Sequence, residues 1–522
     1  MDQQLVSSYV FEMLRSQGDR ILMTESETGK SLSAKDILTR SKQISSQLSR
    51  LGFKPDDVIA YVSSNCSEFV CILLGILDTG ATVALGNPNF TEYELSKFLS
   101  MISPKCVIYS PNNANTIATV AVTMPFIQYM STSDIISQSS QIQLNGNLIS
   151  SKPSNGKHHR ALILLSSGTT GFPKAAMVSH HGFLMNLKYG MEFQRDQLTM
   201  LGILPFYHIY GLLILLDSLC HGTLVVTMAK FNPGKFIENI KKHEISVLPI
   251  VPSLCLSLIK SSVEDLSSLK IILTAGAMMI QSIMLDLLDK FPDNALHIYN
   301  IYGITEASSI VCCSKVQKGA TNNDEKHTDD GQMIGKMPTY VQAKIIHPIT
   351  SQVLPDGSPG ELCLKGATVF LGYLNNPEAN KDSIDEEGWL HTGDLCFRNP
   401  DGTFILLGRI KELIKYQGNQ ISPYELESLF RNHPDVEDVA VIGIPHKIFG
   451  ELPAAMVVPK VNVRVVVEDL QRFVEAQINP TKWLRGGVYL YDQEFIPRTA
   501  SGKVKRKELL RKHVKIHELQ NN

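Results

Sequence analysis

The sequence has no Cys-x-x-Cys pair, no excess of one charge and no apolar stretch near the roughly 20 residues a membrane-spanning helix needs. The nine cysteines, Cys66, Cys71, Cys106, Cys220, Cys255, Cys312, Cys313, Cys363 and Cys396, are scattered. Their spacing excludes zinc ribbons and Cys-x-x-Cys redox motifs, and an odd count without a disulfide framework points to a reducing compartment. Lys plus Arg number 49 against 51 Asp plus Glu. That balance lacks the one-signed footprint of a nucleic-acid or membrane-surface binder, so neither is expected as a partner. The start, Met1-Asp2-Gln3-Gln4, has no basic n-region or apolar run, so no secretory signal is expected. The most apolar stretches, Phe69 to Leu77 and Leu212 to Leu216, are too short for an integral membrane segment. Asn-x-Ser/Thr matches at Asn65 and Asn89 then read as chance. The last residues, Leu519-Gln520-Asn521-Asn522, are not a Ser-Lys-Leu-type peroxisomal signal. The expected location is cytoplasmic.

What is present is a chain of 522 residues, 43% hydrophobic and 19% charged, enough for packed cores in several folding units. Between about residues 50 and 310, short apolar runs alternate with helical segments. Val58 to Val62, Cys106 to Tyr109, Ala161 to Leu165, Leu224 to Val226, Val247 to Val251 and Ile271 to Leu273 read as buried strands. Glu68 to Leu77, Pro233 to His243 and Gln281 to Lys290 read as helices. This alternation predicts an α/β fold with largely parallel sheets, where ligands gather beyond the strand C-termini. After a polar loop, Thr321 to Gln332, short strands with Gly and Pro turns over Ala343 to Leu374 predict a small β-rich unit. Beyond Gly408 the pattern restarts with a Pro423 to Asn432 helix, strands at Val439 to Val441 and Ala455 to Val458, and a Val467 to Ile478 helix. A boundary at Gly408 divides the chain into units of 1–407 and 408–522.

Four motifs carry chemistry. In the first, the strand Ala161 to Leu165 runs into Ser166-Ser167-Gly168-Thr169-Thr170-Gly171-Phe172-Pro173-Lys174. Glycines let backbone N–H groups converge on phosphate oxygens, hydroxyls add donors and Lys supplies a point charge. It is not a Walker loop, whose Lys directly follows the second Gly. A Ser/Thr/Gly loop alone would be an ordinary turn; the strand before it and Lys174 after it favour phosphate. The second, Tyr302-Gly303-Ile304-Thr305-Glu306, follows a short strand at Leu296 to Tyr299 and places a carboxylate beside a hydroxyl, suited to Mg²⁺. Alone, that pair is more often a helix start. In the third, Gly388-Trp389-Leu390-His391-Thr392-Gly393-Asp394 offers a loop carboxylate that could accept from ribose hydroxyls, with Arg409 fifteen residues on. Alone, it is a solvated Asp in a turn. The fourth, Pro497-Arg498-Thr499-Ala500-Ser501-Gly502-Lys503, puts a Lys on a Gly turn where it could stabilise developing negative charge; otherwise it is a basic tail.

Together and in this order, the four motifs resemble those of the adenylate-forming enzymes, specifically acyl-CoA synthetases similar to 4-coumarate–CoA ligase and firefly luciferase. The resemblance spans about residues 50 to 510. It implies a large N-terminal domain of two parallel-rich sheets plus a small β-barrel-like unit, followed by a smaller, mobile α+β C-terminal domain. It also implies a two-step reaction: a carboxylate attacks the α-phosphate of ATP to give acyl-adenylate and pyrophosphate, then coenzyme A displaces AMP. ATP, Mg²⁺, coenzyme A and a small carboxylic acid are the implied ligands. By resemblance, the Ser166–Lys174 loop, with Thr169, Thr170 and Lys174, holds the β- and γ-phosphates. Glu306 ligates Mg²⁺, Thr305 contacts the α-phosphate, and Tyr302 and Gly303 belong to the nucleotide site. Asp394 binds the ribose, Arg409 assists, and Gly276 and Ala277 lie beside the adenine and acyl group. His208 lines and gates the acyl site. Lys503 neutralises the α-phosphate during adenylation, then withdraws as the C-terminal domain rotates and the loop Lys415-Tyr416-Gln417-Gly418 faces the site for CoA.

Three positions depart from the family pattern. Gly408 stands at the hinge where luciferase-like members commonly have Asp, Ile301 where Gly usually precedes the Tyr-Gly, and Met278 where Pro often follows Gly-Ala. With Tyr207, Tyr210 and Ala277, the last two suggest a bulky, largely apolar pocket for a medium-chain fatty or aromatic acid. The alternatives are a luciferase-like adenylating oxygenase, a stand-alone adenylation domain, and an inactive nucleotide-binding protein. Retention of Lys174, Glu306, Asp394 and Lys503 argues against the last.

Overall fold

The computed structural model describes residues 4–144, 158–166, 173–190, 198–262, 266–278, 281–291, 296–316, 331–417, 419–499 and 502–520. Ser167, Gly168, Thr169, Thr170, Gly171 and Gly418 lie outside the described residues. The alternating apolar runs form two sheets. One has six strands in the order Gln128–Ser131, Cys106–Tyr109, Val58–Val62, Thr82–Gly86, Arg160–Ser166 and Lys174–Ser179. All neighbours are parallel except the last pair, a hairpin that carries the Ser/Thr/Gly loop at its tip.

The second sheet begins with Ser31–Ser33 and continues through Ile21–Glu25, Leu224–Thr227, Thr199–Gly202, Val247–Ile250, Ile271–Thr274 and His297–Ile304. Its middle strands are parallel. From His297–Ile304 onward pairing turns antiparallel, through Ser309–Val316, Gln332–Lys336, Thr403–Arg409, Leu390–Arg398, Gly360–Gly366 and Val341–Ile346. The small β-rich unit is thus hydrogen-bonded onto the edge of the parallel strands.

The helix Phe69–Asp78, Phe-Val-Cys-Ile-Leu-Leu-Gly-Ile-Leu-Asp, is apolar all round and buried on every face. Around it a continuous core takes side chains from both sheets, including Ile59, Tyr61, Leu162, Leu273 and Ile301, and from the helix Ile209–Cys220, including Leu213. Capping boxes at Ser33 and Thr91, with Asp36 and Glu94 answering three residues on, start two surface helices.

The smaller C-terminal domain is a five-stranded sheet: Asn419–Ile421, Ile414–Tyr416, Gly450–Pro459 and Val436–His446 in order, with Gly487–Leu490 parallel to Gly450–Pro459. The helices Pro423–Arg431, Val467–Glu475 and Arg506–Gln520 accompany it. It holds its own core, built on Leu426, Phe430, Val439, Val457 and Leu470. Gly408 is paired with Leu395 inside the strand Thr403–Arg409, at φ +140°, and a Cβ there would stand 3.0 Å from the Tyr424 ring. That conformation suits Gly and strains any other residue. Among the described residues no helix is long and apolar enough to cross a membrane, and all nine cysteines are free thiols.

Candidate active site

The strand expected to end at Tyr299 runs on to Ile304, so Tyr302 and Gly303 lie inside it, and one 3-10 turn, Thr305–Ala307, follows. The antiparallel partner Ser309–Val316 supplies the ladder that extends it. Gly303 sits at a shift in that pairing, where a Cβ would come within 2.1 Å of the Ser309 carbonyl oxygen. Ser308 and Ser309 beyond the turn have φ of +57° and +112°, strained conformations held by the surrounding packing. This tight reversal presents Thr305 and Glu306, both half-buried.

Glu306 Oε1 accepts hydrogen bonds from the Ser166 hydroxyl and, at 2.6 Å, from the Tyr373 hydroxyl. The Lys174 ammonium lies 4.8 Å from the centre of the Tyr373 ring. Ser166, Lys174 and Glu306 thus meet around Tyr373, at the base of the hairpin whose tip is undescribed. One carboxylate oxygen bears both hydroxyls and leaves the other for a hard cation, so the donor set fits Mg²⁺. Tyr373 was not legible in the sequence. Its only signal is the Gly-Tyr of Leu371-Gly372-Tyr373, whose backbone pairs beside Lys174–Ser179.

Asp394, expected in a loop, lies within the strand Leu390–Arg398 and is 2% exposed. The antiparallel register sets it opposite Arg409, whose Nε is 2.6 Å from Oδ1. The Tyr302 hydroxyl donates to Oδ2 at 2.5 Å. Burial raises the Asp394 pKa, against the Arg409 guanidinium, the Tyr302 hydrogen bond and the Lys503 ammonium, which act to lower it. Asp394 raises the pKa of Arg409 further above its ordinary value. Each Asp394 oxygen keeps acceptor capacity for a sugar hydroxyl.

Lys503 reaches this field from the C-terminal domain. Its Nζ lies 3.0 Å from Glu412 Oε1, while Glu412 Oε2 accepts from Tyr424 at 2.8 Å and from Arg506 Nε at 3.3 Å. Burial would raise Glu412, but Arg506 and Lys503 outweigh it and hold the carboxyl at about 2. Arg506 also donates to Glu427 at 2.6 Å and lies 4.7 Å from the Tyr424 ring centre. Glu412, Tyr424 and Arg506 were not singled out from sequence. The available signal was position: Glu412 three residues after Arg409, Arg506 three after Lys503.

The remaining residues divide. His208 begins the helix Ile209–Cys220, its ring 4.6 Å from that of Tyr207, and burial lowers it to about 4, so it is neutral near pH 7. Tyr210 donates to the Leu273 carbonyl at 3.0 Å, and Ile301 is buried in the core beside it. Gly276, at φ +88°, and Ala277 follow the strand Ile271–Thr274, where the fully buried Thr274 hydroxyl has no protein partner. Lys415, on Ile414–Tyr416, is exposed and makes no hydrogen bond or ion pair from its side chain among the described residues. The structure does not bring it to the Glu306–Asp394 cluster.

A carboxylate beside a Lys, a buried Asp–Arg–Tyr cluster and a Lys from the C-terminal domain are groups suited to stabilising charge around phosphates. Family comparison gives the same class. The AMP-binding enzyme family matches residues 10–374, and the AMP-binding enzyme C-terminal domain matches residues 425–503. The chain belongs to this family of adenylate-forming acid–CoA ligases. It is 32% identical over 532 residues to a probable 4-coumarate–CoA ligase 1 of Dictyostelium discoideum, covering 97% of this chain and 94% of that one. It is 30% identical to 4-coumarate-CoA ligase 1 of Narcissus pseudonarcissus, covering 96% and 92%, and 28% identical to the peroxisomal OPC-8:0-CoA ligase 1 of Arabidopsis thaliana, covering 94% and 90%. The solved structure of ATP-bound MatB from Rhodopseudomonas palustris shares the fold, with TM-score 0.84, 24% identity, and 97% and 99% of the two chains covered.

Proposed function

We propose that this enzyme activates a medium-chain fatty or aromatic carboxylic acid with ATP and transfers the acyl group to coenzyme A. The observation that carries the reading is the convergence of Asp394, Arg409 and Tyr302 with Lys503 in one electrostatic field, next to Glu306. The relatives named 4-coumarate and OPC-8:0 ligases support an acid of this size, as do the aromatic and branched side chains of Tyr207, Tyr210 and Ile301.

The acid's carboxylate attacks the α-phosphorus, an acyl–oxygen–phosphorus bond forms, and the bond to pyrophosphate breaks. Negative charge grows on the equatorial oxygens, so the residues needed are cations and donors fixed in advance. Lys503 meets that charge from the C-terminal side, with Thr305 on the opposite wall. Asp394 accepts from the ribose hydroxyls while Arg409 and Tyr302 hold its carboxylate still. Lys174 and the Ser166–Lys174 loop engage the outer phosphates. Glu306 would hold Mg²⁺, which supplies Lewis-acid neutralisation of phosphate oxygens. The neutral His208 ring shields the acyl end and carries no charge that would compete with Lys503 for the substrate carboxylate.

The same site must then admit a thiol. Gly408, next to last in the final strand that the chain adds to the large sheet before the C-terminal domain, is the pivot in this proposal. The C-terminal domain swings so that Lys503 leaves and the exposed Lys415 approaches, and the CoA thiolate displaces AMP. The test is a pyrophosphate-release screen over acetate, medium- and long-chain fatty acids and hydroxycinnamates, each with and without CoA. Release restricted to medium-chain or aromatic acids, with acyl-CoA formed when CoA is present, supports the reading. Turnover of acetate alone, or product only in the presence of oxygen, would overturn it.

A further inference from the structure

Beside the nucleotide site, on the outer strands of the large sheet, three dissimilar donors converge. Glu361, Cys363 and His391 each offer one ligand atom, and the three lie within 4.8 Å of one another. Among the described residues this is the one group of three such donors so placed. Strand register explains it: Cys363 is paired directly with His391, and Glu361 follows the alternation of its strand to the same face across a shift in pairing. His391 Nδ1 lies 3.0 Å from Glu361 Oε2 and 3.7 Å from Cys363 Sγ. Ligands on a tetrahedral ion with bonds of about 2.0–2.3 Å stand roughly 3.3–3.7 Å apart, so the two His391 pairs need shifts of a few tenths of an ångström, while Glu361 and Cys363, within 4.8 Å, close by up to about 1 Å.

The surrounding contacts are those a metal site needs. Glu361 offers Oε2 inward while Oε1 accepts from the Gly393 backbone N–H at 3.0 Å, which fixes the carboxylate. On the far side of the imidazole, Nε2 lies 3.6 Å from Asp385 Oδ2, and Asp385 is itself tied to the Trp389 N–H at 2.8 Å. A carboxylate behind the second ring nitrogen orients a metal-binding His and strengthens it as a ligand. A neighbouring cation, Lys344, pairs with Cys363 on the next strand, yet its ammonium is drawn 4.3 Å from the Trp389 ring centre and 3.8 Å from Glu387. The His391 and Glu361 side chains are 25% and 14% exposed, so water can supply a fourth ligand.

We infer that Glu361, Cys363 and His391 form a binding site for a borderline-soft divalent cation of the Zn²⁺ type, separate from the Mg²⁺ position at Glu306. One sulfur, one nitrogen and one oxygen donor select such an ion over Mg²⁺, which takes oxygen ligands in octahedral geometry. As the ion binds, the Cys363 thiol proton leaves and the neutral His391 ring carries its N–H on Nε2, toward Asp385, which frees Nδ1 for the ion. The site does not depend on the acid the enzyme uses, so it stands or falls apart from the proposed reaction.

The test is metal binding by the full, tag-free chain, with Zn²⁺ competed from a chromogenic chelator and Co²⁺ followed by absorption, both in excess Mg²⁺. The expected result is one tightly held ion per chain and, with Co²⁺, a near-ultraviolet thiolate-to-metal band with the visible bands of tetrahedral geometry. Cys363→Ser should abolish the thiolate band and weaken Zn²⁺ by roughly 10–100-fold, whereas Cys66→Ser should change neither. Because Cys363 is buried, Glu361→Gln serves as a second variant; it keeps an acceptor for Gly393 and should weaken Zn²⁺ with the thiolate band retained at higher Co²⁺. No stoichiometric ion in the native chain, displacement by Mg²⁺, or unchanged binding in both Cys363→Ser and Glu361→Gln would overturn the assignment.

Discussion

The two walls of the nucleotide site are built differently. On the N-terminal side, Glu306 and Asp394 are held by strands of one sheet: a ladder on each side, a glycine where the chains nearly touch, and hydroxyls or a guanidinium on the carboxylates. On the C-terminal side, Lys503 is held by one carboxylate, Glu412, which also serves Arg506 and Tyr424. The first wall fixes its groups through hydrogen-bonded strand register. The second holds its cation by an ion pair that can be exchanged. A group that must meet phosphate in one step and leave before the next is better kept by an exchangeable partner. In the proposed reaction the acidic wall positions nucleotide and metal, while the basic wall supplies switchable charge.

Perturbing each wall separates these roles. The largest effect is expected for Lys503→Ala, which removes the charge that meets the α-phosphate: acid-dependent ATP–pyrophosphate exchange should fall by roughly 10²–10³-fold. Next, Asp394→Asn keeps the shape but loses the partner of Arg409 and the charge facing the ribose. The KM for ATP should rise by about tenfold or more, with a smaller change in kcat, as steady-state kinetics at saturating acid would report. A KM unchanged by Asp394→Asn would remove the ribose role.

Glu412→Gln perturbs the basic wall more mildly. Glu412 is held at about 2 in the folded chain, below its ordinary value, so its stabilising contribution is present above pH about 4.5 and is lost on acidification through about 2. The full linkage is about 3 kcal/mol. Urea midpoints of the native chain should therefore drop between pH 5 and 3 more than those of Glu412→Gln. The same variant should slow pyrophosphate exchange several-fold and spare thioester formation, because only the first step needs Lys503 in place. The smallest effect is expected for Gly408→Ala, where a Cβ at φ +140° presses on Tyr424. A cost of about 1–2 kcal/mol, borne by the strand Thr403–Arg409 of the large sheet, should reduce adenylation a few-fold and lower the unfolding midpoint by a few degrees.

Much of the fold was readable because period and burial coincide. Val58–Val62, Cys106–Tyr109 and the helix Gln281–Lys290 fall where apolar runs and helical spacing put them. The misreadings were of ends, where tertiary pairing decides. His297–Ile304 outruns its apolar portion because Ser309–Val316 returns beside it, and Asp394 is in a strand because Arg409 faces it across the ladder. Polar residues with turn-like neighbours look like loop until a partner strand, far along the chain, satisfies their backbone. The site showed the same division. Ser166, Lys174, Glu306, Asp394, Arg409 and Lys503 stood out by residue type and order. Tyr373, Glu412 and Arg506 escaped notice because their roles are to hold other side chains, a property of geometry that no local pattern records.

The exchange of partners at the basic wall is tested most directly by measuring both half-reactions in Lys503→Ala and Lys415→Ala: pyrophosphate exchange for the first, and acyl-CoA formation from supplied acyl-adenylate for the second. The expected outcome is a crossed pattern, with Lys503→Ala deficient in exchange and competent with acyl-adenylate, and Lys415→Ala the reverse. Equal loss of both activities in both variants would contradict it.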